Sequence, residues 1–128
     1  MKVSILSLAV IAGLISTNLQ ANQAIEQLQE SYRKTGATSF DALDGKALWY
    51  SEQNGRSCTS CHGSSPADVG KHWKTGKKIM PMSPSVNPKR LIKTAKIEKW
   101  FLRNCKWTLG RECSPQEKGD ILQWLQQL

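Results

Sequence analysis

The fold class this sequence predicts is all-α, and three observations predict it. Apolar residues recur at helical spacing in several separate stretches. No stretch alternates apolar and polar residues in the way a half-buried strand does. Ser114-Pro115-Gln116-Glu117 is a capping box with proline in the first turn, a strong helix start.

The chain opens with Met1-Lys2 and an apolar run from Val3 to Ile15. A short basic start, about thirteen apolar residues and then small and polar residues make a secretory signal peptide over residues 1–21, with cleavage expected after Ala21. The run is too short for a membrane anchor, which needs about twenty apolar residues, and Ser4, Ser7 and Gly13 interrupt it. A single domain is expected over residues 22–128, a mature chain of 107 residues with no membrane anchor after cleavage.

Within that domain, Ala24, Ile25, Leu28 and Tyr32 predict a first amphipathic helix over 22–34, stopped at Gly36. Leu43, Ala47, Leu48 and Trp49 give an apolar face to a second helix over 40–50, ending near Asn54-Gly55. From Gly63 to Val86 the glycines and prolines at 63, 66, 70, 76, 81 and 84 predict a loop. Asn87-Pro88 reads as an N-cap with a first-turn proline, starting a helix that bears Leu91, Ile92 and Ala95. A break at Thr94 is allowed for, with Ile97, Trp100, Phe101 and Leu102 continuing the buried side to Asn104. The last helix follows the capping box and buries Ile121, Leu122, Trp124, Leu125 and Leu128.

The chemistry sits between the second helix and the loop, in Cys58-Thr59-Ser60-Cys61-His62. Cys-x-x-Cys-His is the sequence at which haem is attached through two thioethers. Its two-residue spacer presents both sulfurs to one edge of a porphyrin. His62 is then placed to give its imidazole to iron as the proximal ligand. A thioredoxin-type dithiol needs βαβ surroundings, which this stretch lacks. A zinc site completed by Cys105 and Cys113 leaves His62 unexplained, and the separation of those two cysteines is not that of a second zinc knuckle. One covalent haem c, with its iron, is therefore the expected cofactor, and a buried porphyrin would add much to so small a core. Cys105 and Cys113 remain as an even pair in an exported chain, and a disulfide between them is expected to contribute about 2–3 kcal/mol by loop closure. The periplasm, where this type of haem attachment takes place, is the expected location.

The formal charge is +8, and removal of Lys2 with the signal leaves +7 before the haem propionates are counted. From Lys71 to Lys118 there are thirteen Lys or Arg against three acidic residues. Such a face steers association with an acidic partner, and export argues against nucleic acid as that partner. Lys77 and Arg56 are candidates to pair with propionates. Most of the five tryptophans read as core or haem wall, with Trp107 the one candidate for shaping the pocket opposite His62.

What holds the sixth position of the iron decides function. Met80 and Met82 lie about twenty residues after the motif and would give a low-spin electron carrier. His72 would give a bis-histidine haem. Asn104, beside Cys105, is the third candidate.

A helix before the motif and a Trp-bearing helix at the C-terminus resemble the class I cytochrome c fold, in which those two helices cross; Gly45 would allow their close approach. The run Ala95-Lys96-Ile97-Glu98-Lys99-Trp100-Phe101-Leu102-Arg103-Asn104-Cys105, followed by Gly110-Arg111-Glu112-Cys113-Ser114-Pro115-Gln116-Glu117-Lys118, resembles the sphaeroides haem protein (SHP) family of monohaem c-type cytochromes. Lys74-Thr75-Gly76-Lys77-Lys78-Ile79, with Pro81, Ser83-Pro84-Ser85 and Pro88, is similar too. The resemblance implies a high-spin haem with Asn104 as a weak distal ligand that leaves on reduction. It implies binding of oxygen, nitric oxide or carbon monoxide to the ferrous haem, and the disulfide Cys105–Cys113. It also implies a dihaem cytochrome c as electron donor, whose acidic face would suit this basic one. No distal histidine and arginine pair of peroxidase type is visible, so catalytic reduction of oxygen, peroxide or nitric oxide ranks below electron transfer and ligand binding.

Overall fold

The computed structural model describes residues 19–128, and the apolar run Val3–Ile15 lies outside the described residues. Helix α1, Leu19–Lys34, buries Ala21, Ala24, Ile25, Leu28 and Tyr32, the periodicity that predicted it. It starts just ahead of the expected cleavage point, so a chain cut after Ala21 keeps the helix from Asn22 onward.

Helix α2, Ala42–Tyr50, starts where Asp41 turns its carboxylate back to accept from the Leu43 amide at 2.7 Å. Its buried residues are Gly45 and Trp49, whereas Leu43, expected in the core, is 76% exposed. The reason lies in what α2 packs against. Helix α5, Pro115–Leu125, crosses it so closely that a Cβ on Gly45 would collide with the Asp120 carbonyl. Gly45 therefore faces the neighbour and Leu43 is turned away. Asp120 is buried at the same crossing, accepting from the Asp41 amide at 2.8 Å and the Gln116 side chain at 2.9 Å. The capping box of α5 is complete, with the Ser114 hydroxyl accepting from the Glu117 amide and the Glu117 carboxylate accepting from the Ser114 amide.

The long loop is more ordered than expected. Helix α3, Thr59–His62, is one turn, and β1 (Gly70–Lys71) pairs antiparallel with β2 (Lys78–Ile79), with Gly70 opposite Ile79. Two-residue strands are too short for alternation to register in a sequence. The helix expected from Pro88 is absent: Asn87 accepts the Arg90 amide at 2.9 Å in a turn, and Leu91 is buried with φ +58°. Helix α4 begins only at Thr94 and runs to Leu109, past the expected end at Asn104. Trp100 and Leu102, expected inside, are 42% and 45% exposed; the side of α4 that is buried carries Ile97, Cys105 and Thr108. Glu98 ties α4 to its neighbours, accepting from Tyr32 of α1 and from Lys118 of α5 at 2.9 Å.

The core lies where α1, α2 and α5 meet, with Ile25, Leu122 and Leu125 almost wholly removed from water. Each such side chain contributes roughly 1.5–3 kcal/mol. Among the described residues, no helix is long and apolar enough to cross a membrane. The architecture is the expected all-α domain, one face of which carries the motif.

Candidate haem-attachment site

Asn54 and Gly55, at φ +53° and +73°, reverse the chain just ahead of the motif, and Gln53 and Arg56 exchange both backbone hydrogen bonds across that turn at 2.7 and 3.0 Å. The chain enters α3 through Cys58, whose carbonyl accepts from the His62 amide at 3.0 Å. Ser60 steadies the entry, its hydroxyl accepting from the Ser57 amide at 3.0 Å. Gly63, at φ +81°, ends the turn. One helical turn thus carries Cys58, Cys61 and His62 together.

Both thiols are unpaired and partly buried, and burial pushes the Cys58 thiol up to about 11. His62 is lowered to about 4, first by removal from water and then by the positive charge of Arg90. A neutral imidazole offers a lone pair, the form in which histidine binds a metal. Trp49 backs it, with ring centroids 5.1 Å apart, and Trp124 packs in turn on Trp49. Gly70 of β1 lies against the other side of the turn, where a Cβ would collide with the Cys61 carbonyl. The hairpin is thereby seated on the motif.

The remaining sequence candidates are held as follows. Cys105 of α4 and Cys113 are joined in a disulfide with Cα atoms 5.5 Å apart, which takes them out of any zinc site with Cys58 and Cys61. Asn104 precedes Cys105 on α4, exposed and in no side-chain hydrogen bond among the described residues. Met82 packs on the hydrophobic core and Met80 is 54% exposed. Their segment is fixed by its backbone, since the Met82 and Ser83 amides both donate to the Pro66 carbonyl, at 2.7 and 3.1 Å. His72 Nδ1 accepts from the Lys74 and Thr75 amides at 3.2 Å. Trp107 belongs to the last turn of α4; it stacks on Trp73 at 5.4 Å, and the Arg56 guanidinium lies 4.6 Å from its ring centre. Lys77 is exposed.

Several features fit a haem. Two thiols and a neutral histidine share one turn. Among the described residues, the buried indole N–H groups of Trp49 and Trp107 lack a partner. Large apolar side chains stand exposed around the motif and α4, among them Trp73, Met80, Trp100 and Leu102. The residue that sequence reasoning missed is Arg90, which stands close enough to His62 to lower its proton affinity. Only its place in a lysine-rich run was visible in the sequence, and that does not set it apart.

Comparison with known proteins agrees with this picture. A family model described as a domain of unknown function, DUF1924, matches residues 35–125. The chain is 40% identical over 122 residues to the cytochrome c-type protein SHP of Cereibacter sphaeroides, covering 91% of this chain and 92% of that protein. Over 68 residues it is 46% identical to cytochrome c'' of Methylophilus methylotrophus, 53% of this chain and 47% of that one. Among solved structures, oxidized SHP, described as an oxygen-binding cytochrome c, matches with TM-score 0.73 and 42% identity over 79% of this chain and 94% of that chain. Oxidized cytochrome c'' from Methylophilus methylotrophus matches with TM-score 0.66 and 32% identity, covering 84% of this chain and 94% of that chain. With its helical fold and attachment turn, this chain belongs to the SHP family of monohaem c-type cytochromes and carries one covalently bound haem c.

Proposed function

We propose that this chain is an exported periplasmic cytochrome that takes up one electron and then binds a small diatomic molecule, oxygen or nitric oxide. In this reading residues 1–21 are removed on export. Cys58 and Cys61 hold the haem by thioethers, His62 is the proximal ligand and Asn104 is a displaceable distal ligand. The bound haem supplies a one-electron iron centre whose ferrous form takes up diatomic ligands when its sixth position is open.

The observation that carries the reading is that Met82 and His72 are engaged elsewhere while Asn104 is free on α4. Met82 packs on the core, and its amide and that of Ser83 bond to the carbonyl of Pro66, four residues from His62. His72 already accepts two backbone amides through Nδ1. Asn104 is exposed and uncommitted on α4. An amide oxygen is a weak ligand, so Asn104 would hold the sixth position loosely, consistent with a high-spin iron, and could leave it on reduction. Its N–H₂ group is then free to donate a hydrogen bond to the incoming diatomic. Two relatives lend support: the SHP structure is described as that of an oxygen-binding cytochrome c, and a cytochrome c'' structure is described in terms of haem-ligand detachment. Electrons arrive from a dihaem cytochrome c whose acidic face meets the lysines of residues 71–118.

The test is the visible spectrum of the haem protein, ferric and dithionite-reduced, with and without carbon monoxide. The expected result is a high-spin ferrous spectrum that shifts with carbon monoxide. Asn104→Val should keep the haem attached and change the ferric spectrum. An unchanged ferric spectrum overturns Asn104 as distal ligand, and sharp low-spin bands indifferent to carbon monoxide overturn the ligand-binding reading as a whole.

A further inference from the structure

Arg90 stands apart from the other cations of this basic chain. Most of the lysines are exposed, but Arg90 is partly buried, and removal from water lowers its own pKa. Its Nε donates to the Pro81 carbonyl at 3.0 Å and its Nη2 to the Met80 carbonyl at 2.8 Å. Asn87 donates to the same Pro81 carbonyl at 3.0 Å, so that oxygen accepts two side-chain hydrogen bonds. Among the described residues, no carboxylate lies within ion-pair distance of the guanidinium. Neutral carbonyls use two of its N–H groups and leave its charge uncompensated.

Removing a cation from water without a counter-charge is costly, and Arg90, half-buried, has lost part of its hydration with no carboxylate in exchange. The group missing here is an acid. The residues nominated from sequence for a propionate are otherwise disposed. Arg56 is exposed, donates to the Trp107 carbonyl at 3.0 Å and lies over the Trp107 ring, and Lys77 is exposed. The carbonyls Arg90 grips, of Met80 and Pro81, directly precede Met82 and Ser83, whose amides bond to the Pro66 carbonyl, and its charge is felt at His62.

We propose that Arg90 is the positioning residue for a haem propionate, pairing with its carboxylate, and that this internal positive charge raises the reduction potential of the iron. The inference rests on haem attachment at Cys58, Cys61 and His62. A positive charge at a propionate disfavours the ferric state more than the ferrous one, because the ferric iron carries one more positive charge. Without the guanidinium the carboxylate is left unpaired near the iron and favours ferric.

Potentiometric titration of the haem protein tests this with Arg90→Gln and Arg90→Lys, against Arg56→Gln and Lys77→Gln as exposed-charge controls. At the wild-type midpoint, Arg90→Gln should lower the ferrous-to-ferric ratio roughly tenfold, which for one electron is about 59 mV. Arg90→Lys keeps the charge and should stay within about twofold of wild type, and so should both controls. An Arg90→Gln midpoint within twofold of wild type overturns the proposal. So does an Arg90→Lys midpoint that falls as far as that of Arg90→Gln, because the effect is then one of packing and not of charge. If Arg90→Gln yields no haem protein, Arg90→Lys decides alone: a near-wild-type midpoint supports the pairing and a tenfold fall overturns it. Failure of the attachment reading looks different, since haem would then leave the wild-type chain on acid denaturation and extraction.

Discussion

A methyl group at position 45 has nowhere to go. The Cβ would meet the carbonyl of Asp120, backbone of a capped helix that cannot step aside cheaply. Gly45→Ala should therefore destabilise the domain by about 2 kcal/mol, within the usual range for overpacking. In a domain of this size that is a fall in Tm of roughly 8–15 °C, read by thermal unfolding of the haem protein. A variant with unchanged Tm would mean that α2 and α5 are not in close contact. Resemblance to the class I fold nominated Gly45 from the sequence. It did not nominate Gly119, where a Cβ would strike the Phe40 ring, because that ring arrives from a segment remote in sequence. His62 shows the same division. Its proposed role as iron ligand is legible in five consecutive residues, but its low pKa of about 4 comes from burial and from Arg90, neither of which the motif encodes.

At the scale of the element, the best-read helix was α5, and its start carries a pH dependence. The Arg111 guanidinium, bonded to Glu117 at 2.7 and 2.8 Å, holds that carboxyl below its ordinary range, helped by the backbone amide of Ser114. A carboxyl whose folded pKa is depressed takes up its proton sooner in the unfolded chain. Its contribution is present above the unfolded value of about 4.3 and is lost as pH falls through the folded one. Glu117→Gln should lower Tm at neutral pH by a few degrees and flatten the decline of Tm between about pH 5 and pH 3. Parallel acid limbs for the two proteins would refute it. The poorest-read element was the stretch from Asn87. An N-cap residue followed by proline opens a turn as readily as a helix, and what chose the turn was burial of Leu91 at positive φ. That conformation is stabilised by tertiary contacts, so local propensity does not reveal it. In α4 the apolar residues Trp100 and Leu102 fooled the periodicity because they stand exposed and not in the helical core.

For the whole molecule, charge is the property that matters to a partner. The excess of thirteen basic over three acidic residues between Lys71 and Lys118 should make reduction by the proposed acidic donor cytochrome depend steeply on salt. Stopped-flow measurement should show the bimolecular rate falling about tenfold or more between roughly 0.01 and 0.5 M salt, and further when Lys74 and Lys78 are both replaced by Glu. A rate indifferent to both would remove the basic face from the encounter.

Haem, helical class and family are legible before the chain folds, because each is written in contiguous residues: a five-residue attachment motif, helical periodicity with a capping box, and the Glu-Lys-Trp and Arg-Asn-Cys segments of α4. Tertiary structure alone decided which apolar residues are inside, since the phase of α2 follows the glycine contact with α5 and leaves Leu43 in water. It alone set Arg90 apart from the surrounding lysines and brought its charge within reach of His62. Motifs and periods are local and survive in one dimension. Burial, charge compensation and the closeness of two crossing helices are properties of distance, and distance exists only once the chain has folded.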